Sequence, residues 1–146
     1  MQHGYGGQAS SWVNGGLFNP SLPLRLVDEG YDVWMGNNRG SPYSNVNDQD
    51  GQWSLEERWD FTWAEMGLYD MPAQIQKVLD ETGKPKVTVI GYSQGSAQNI
   101  YGMAKKQDFF AERVNRFIAV APCFAANPGS PYPSIAISYK QRIDEG

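Results

Sequence analysis

Gly91-Tyr92-Ser93-Gln94-Gly95 is the stretch whose reading decides the fold of this chain. The β-branched run Val87-Thr88-Val89-Ile90 leads into it, and a predicted helix, Gln94 to Lys106, leads out. Strand, Gly-x-Ser-x-Gly, helix is the arrangement of a nucleophile elbow, in which a sharp turn lifts a serine hydroxyl to the top of a sheet. The glycines have a steric reason, since such a turn brings backbone segments too close for side chains at the flanking positions. Alone the motif is weak: composition produces two glycines and a serine at these offsets in about one chain of this length in twenty. Context strengthens it, because Ala97, Ile100, Tyr101 and Ala104 follow at helical spacing and predict an apolar helix face. The competing reading is an ordinary strand-to-helix turn.

Working outward, the first twenty residues read as loop with Trp12 and Val13 as an apolar anchor. Ser21 is a suitable N-cap for a helix from Leu22 to Glu29 with Leu22, Leu26 and Val27 on its apolar face, and Gly30 suits the position after its end. Tyr31 to Met35 predicts a short strand, and Asn37 to Gln52 a polar surface excursion. Trp53, Trp59, Phe61 and Trp63 crowd into eleven positions; these rings either pack a long loop onto the core, the simpler reading, or line a lipid pocket. Asp70 is expected to cap a helix with Pro72 in its first turn and Ile75, Val78 and Leu79 as the buried stripe up to Gly83. A third strand is expected at Arg116 to Val120, then a Pro-rich loop, with Ser134 to Gly146 beginning a helix. Strands alternating with helices of this length imply an α/β fold, a mostly parallel sheet with helices on both faces.

At 146 residues and 40% hydrophobic composition the chain is one domain at most. A net charge of -4 and scattered basic residues argue against a nucleic-acid partner. No apolar run approaches the ~20 residues of a membrane span, and the first residues lack the pattern of a secretory signal. Cys123 is the single cysteine and is expected to be buried and inert. One histidine and no Cys/His ligand spacing argue against a zinc site of the usual kind, and no metal site is expected.

A serine hydroxyl needs a general base, a group that orients the base, and donors for the oxyanion. The amide of Gln94, the residue after Ser93, is one donor; Gln2-His3-Gly4-Tyr5 fits a loop whose Tyr5 amide is the second. His3 is the only imidazole, and its position argues against the base, which in hydrolases built on this elbow follows the nucleophile. Asp144 is a poor orienting acid. The sequence thus supplies a nucleophile and an oxyanion hole without a base, and the chain alone is expected to be inactive.

Five blocks then stand in order: Gln2-His3-Gly4, Glu29 through Gly40, Trp59 through Met66, Tyr69 through Ala73, and Gly91 through Gly95. Together, from about Gln2 to Phe124, they closely resemble the acid lipase family, which includes lysosomal acid lipase, gastric lipase and fungal steryl ester hydrolases. The resemblance implies an α/β-hydrolase fold, no cofactor, hydrolysis of neutral lipid esters such as triacylglycerols and cholesteryl esters at a lipid-water interface, and a lysosomal or secreted setting, with association to lipid droplets or membranes as a further option. Carried over by position, Ser93 is the nucleophile and the amides of Tyr5 and Gln94 form the oxyanion hole. The chain departs from the family at Tyr92, where His is common, and at Tyr5, where an aliphatic residue is usual. The family's catalytic Asp and His lie beyond the present end, residues 125–146 correspond to the start of its lid, and its strand before the oxyanion loop would precede His3. A partial α/β-hydrolase domain is therefore expected, with poorly cooperative unfolding. The alternatives are a shortened non-catalytic protein that binds lipid or a partner, and an esterase for small esters.

Overall fold

The computed structural model describes residues 1–14, 20–44, 54 and 59–123. The β-branched run forms strand β1 (Val87–Tyr92), and a second strand, β2 (Val114–Val120), pairs with it in parallel, with Val89 opposite Phe117 and Ile90 opposite Ile118. Helices α4 (Gln94–Lys105) and α5 (Gln107–Arg113) make the crossover that parallel pairing requires. Before them come α1 (Leu22–Asp28), a short α2 (Trp63–Glu65), a π-helical turn (Met66–Asp70) and α3 (Met71–Thr82).

The core is the contact of α3 with this βαβ unit: Met71, Ile75 and Leu79 pack against Val89 of β1 and Phe110 of α5. α3 ends as the sequence implies, with Gly83 at φ +64 and its N–H on the Leu79 carbonyl at 2.9 Å. α1 is likewise followed by Gly30 at φ +87, although Val27, expected on its apolar face, is exposed and the Ser21 hydroxyl bonds Trp12 O rather than capping. Trp12 is buried as the expected anchor.

Four expectations need correction. Asp70 does not cap α3; the helical run starts at Thr62, whose side chain and that of Glu65 form a capping box, and passes through the π turn. The Asp70 carboxylate accepts from the backbone N–H and guanidinium of Arg39 instead. α4 buries Gly95, Ser96, Gln98, Asn99 and Gly102 rather than Ala97, Ile100, Tyr101 and Ala104, because small residues let backbone approach, Gln98 pairs with Asn38, and Asn99 Nδ2 donates to Gly95 O. Cys123 is exposed, since it lies beyond the last rung of β2. Tyr31 to Met35 forms no ladder among the described residues; the adjoining Gly36 makes a parallel bridge to Gln2. The Pro-rich loop after Cys123, the segment Ser134 to Gly146 and Trp53 lie outside the described residues.

Candidate active site

Ser93 occupies the turn between β1 and α4 at φ 52, ψ -118. A residue with a Cβ is strained there by about 1–3 kcal/mol. The turn is held from both sides: Ser93 N–H donates to Val120 O at 2.9 Å, and Ser93 O accepts from Ser96 N–H at 2.9 Å. Ser96, fully buried, donates its hydroxyl to Gly91 O at 2.6 Å and so closes the turn. Both flanking glycines are sterically required. A Cβ on Gly91 would lie 2.6 Å from Gly95 O, and one on Gly95 would lie 2.5 Å from the carbonyl oxygens of Gln2 and His3.

That second contact brings in the N-terminal loop. Gln2 N–H donates to Ile90 O at 2.8 Å and Tyr92 N–H to Gln2 O at 3.0 Å, which lays Gln2 along the end of β1. Gly4 follows so closely on Ser93 that a Cβ there would sit 3.1 Å from Ser93 Cβ. The loop expected to supply an oxyanion donor is therefore packed against the serine.

His3 is buried and committed elsewhere. Its Nδ1 faces Gly4 O at 2.8 Å, and its Nε2 accepts the Asn38 N–H at 3.2 Å, so the neutral tautomer carries its proton on Nδ1. Burial lowers its pKa from the ordinary value, against a smaller opposing effect of the bond to Gly4. With both nitrogens engaged, His3 shapes the loop and does not act as a base for Ser93. Asn38 extends the connection: its side chain and that of Gln98 exchange two amide bonds of 3.0 Å while both are buried. The N-terminal loop, the 37–41 segment and α4 are thereby joined through buried polar groups. The expected surface excursion contributes Asn38 and Ser41 to the interior.

A cavity of about 460 Å³ opens beside this junction, walled by Tyr5, Trp59, Phe61, Trp63 and Met66, with Gln94 at its base. Trp59 and Phe61 stack with centroids 5.9 Å apart, and they rest on Gly40, which stands at φ +75 and where a Cβ would lie 2.7 Å from Phe61 Cζ. Of the two sequence readings of the aromatic cluster, the structure favours the pocket lining for these three rings. Arg39 lies against the same wall, its guanidinium 5.8 Å from the Phe61 centroid and 2.7 Å from Asp70 Oδ1. Gln94 Nε2 donates to Met66 Sδ at 3.1 Å, tying the base of the cavity to the π turn. Such turns recur at functional sites. Asn38, Gln98 and the Arg39–Asp70 pair escaped the sequence analysis; Asn38-Arg39 lay within a recognised block, but nothing local marks a polar residue as buried.

A serine at positive φ between a parallel strand and a helix, with a glycine loop packed on it, marks an α/β protein carrying a nucleophile-elbow turn. Residues 1–143 match the family described as alpha/beta hydrolase fold, and the chain belongs to it. It is 37% identical over 141 residues to Lipase member M of Mus musculus, covering 90% of this chain and 32% of that protein. It is 38% identical over 122 residues to lysosomal acid lipase/cholesteryl ester hydrolase of Homo sapiens, covering 84% and 30% respectively. Gastric triacylglycerol lipase of Mus musculus is 36% identical over 138 residues, covering 94% and 34%. The resemblance to acid lipases thus holds along most of the sequence, while the chain spans about a third of the length of these relatives.

Proposed function

We propose that this chain carries the nucleophile and oxyanion hole of a serine hydrolase acting on neutral lipid esters, triacylglycerols or steryl esters. Ser93 Oγ attacks the ester carbonyl, and the developing negative charge is received by the backbone amides of Gln94 and Tyr5. The base and its orienting acid come from residues beyond this chain, so the chain alone is inactive. The observation that carries the reading is the strained backbone of Ser93, held against Gly4. Strain of this kind persists only where surrounding structure enforces it, and here it falls on a half-buried serine at the head of a helix. The lipid substrate is supported by the aromatic walls of the cavity and by the names of the relatives, which also support a lysosomal or secreted setting.

The test is hydrolysis of emulsified long-chain triacylglycerol and cholesteryl ester against short-chain esters by the complete gene product. Activity on the long-chain emulsion that Ser93→Ala abolishes is the expected result; activity on short-chain esters alone replaces the lipase with an esterase. A fluorophosphonate should label Ser93 of the present chain weakly or not at all. Strong labelling that Ser93→Ala removes and His3→Ala retains would refute the missing base. A non-catalytic lipid binder is the second reading, favoured by the exposure of Tyr5 and Trp59 at the cavity mouth. It is selected if the complete gene product binds lipid emulsions without hydrolysing them.

A further inference from the structure

The aromatic cavity is lined by Tyr5 and Gln94, the two residues whose amides are the proposed oxyanion donors. Most of its other polar side chains are committed to the protein. Asn38 exchanges two amide bonds with Gln98, Thr62 Oγ1 donates to Glu65, Gln94 Nε2 donates to Met66 Sδ, and both ring nitrogens of His3 are engaged. Arg39 gives Nε and Nη2 to Asp70 Oδ1, and Ser41 Oγ is shielded from solvent. Tyr5 is different. It is 64% exposed, and among the described residues its hydroxyl has no hydrogen-bond partner. A phenol of this kind both donates and accepts, and here it is left to whatever enters the cavity.

The backbone that carries this ring is held in place. Gly4 O faces His3 Nδ1 at 2.8 Å and accepts Gly7 N–H at 3.2 Å, which closes a turn with Tyr5 and Gly6 at its centre. Gly6, at φ +64, stands where such a turn favours glycine, and Gly4 packs on Ser93. A tyrosine side chain rotates about only two torsions, so a fixed backbone confines the hydroxyl to a short arc at the mouth of the cavity.

We infer that Tyr5 is a specificity-determining residue whose hydroxyl donates to a second oxygen on the alcohol part of the substrate, so that acylglycerols are favoured over steryl esters. The inference rests on the proposed ester chemistry and narrows it, because the same residue supplies an oxyanion amide and the phenol. With the reacting carbonyl oxygen on the Tyr5 amide, the hydroxyl lies one ring length away, on the side of the cavity mouth. In an acylglycerol the carbon next to the one bearing the reacting ester carries another oxygen, as an ester or a free hydroxyl. The alcohol part of a steryl ester is hydrocarbon beyond its single ester oxygen and offers no acceptor. Both kinds of ester suit the aromatic walls, and only the acylglycerol also uses the phenol. Since the hydroxyl is exposed, its bond to substrate replaces a bond to water, and the preference it confers is moderate.

Tyr5→Phe tests this by keeping the ring and removing a hydroxyl that no described residue uses. In the complete gene product it should lower kcat/KM for emulsified trioleoylglycerol by about three- to tenfold and leave cholesteryl oleate and hexadecyl oleate unchanged. The same change on all three esters, no change on any, or a loss confined to the two esters of simple alcohols overturns the inference. A second measurement needs no turnover. In the complete gene product carrying Ser93→Ala, with tyrosine isotope-labelled at Cζ, glyceryl tributyrate should shift the Tyr5 signal, assigned by its loss in Tyr5→Phe, and hexyl butyrate should not. An equal response to the two ligands, or none to either, overturns the inference. If the parent protein hydrolyses none of the esters, the ester chemistry itself fails, and the labelled signal alone decides whether Tyr5 selects acylglycerols.

Discussion

Replacing Ser93 by glycine should stabilise the chain. At φ 52, ψ -118 the serine sits where only glycine is at ease, at a cost of about 1–3 kcal/mol. Glycine removes that cost but gives the unfolded chain more freedom, worth about 0.5–1 kcal/mol against it. The hydroxyl makes a small difference in comparison, because the turn is held by backbone: Ser93 N–H to Val120 O and Ser96 N–H to Ser93 O, both unaltered. The middle of the two ranges leaves a net gain of about 1.25 kcal/mol. For m of about 2 kcal/mol/M this raises the urea midpoint by about 0.6 M, measured by tryptophan fluorescence with Trp12, at 3% exposure, as one reporter. Ser93→Ala is the control, since it keeps Cβ and its strain and should unfold with the parent. The reasoning fails if the glycine variant is less stable than the alanine variant, the ordinary effect of glycine at an unstrained site.

Gly95→Ala should have the opposite effect, because its Cβ must displace the carbonyls of Gln2 and His3 from 2.5 Å; a loss of about 2 kcal/mol or more is expected in the same urea assay, with faster exchange of the Tyr92 amide. Gln98→Leu should cost about 1–3 kcal/mol by stranding the buried Asn38 amide, and adding Asn38→Leu should cost less than the sum of the two single changes, as a double-mutant cycle will read out. Stability should rise with pH between about 6 and 8, where the folded Met1 amine is neutral while the unfolded one still holds its proton; the gain is at most about 2–3 kcal/mol and should vanish on N-terminal acetylation. His3, whose folded pKa is also depressed, should continue the fall below about pH 6.5, and a His3→Gln variant should lack that limb.

How much of this was legible in the sequence follows from the range of the forces involved. β1, α3 and the turn at Ser93 are set by neighbours in the chain: β-branched residues, a Pro in a first turn, a Gly at a helix end, and glycines that a tight bend demands. Those were read correctly to within a residue or two. The errors share a different cause. Asp70 looks like a cap because acidic residues before an apolar run usually are, yet its partner Arg39 is 31 residues away. Gln98 looks like the wet side of α4, yet it is fully buried because Asn38, 60 positions earlier, returns to meet it. Segment 31–36 has strand composition but lacks the continuous neighbour that would make it a strand.

The same distinction explains how the site is held. The apolar cluster of Met71, Ile75, Leu79, Val89 and Phe110 stabilises the βαβ unit, and His3 and Gly4 belong to a segment joined to that unit by backbone bonds of Gln2, by the bond from Asn38 to His3 and by close packing on Ser93 and Gly95. The position of the N-terminal loop is therefore governed by its backbone pairing at the end of β1 together with the burial of Gln2 and His3.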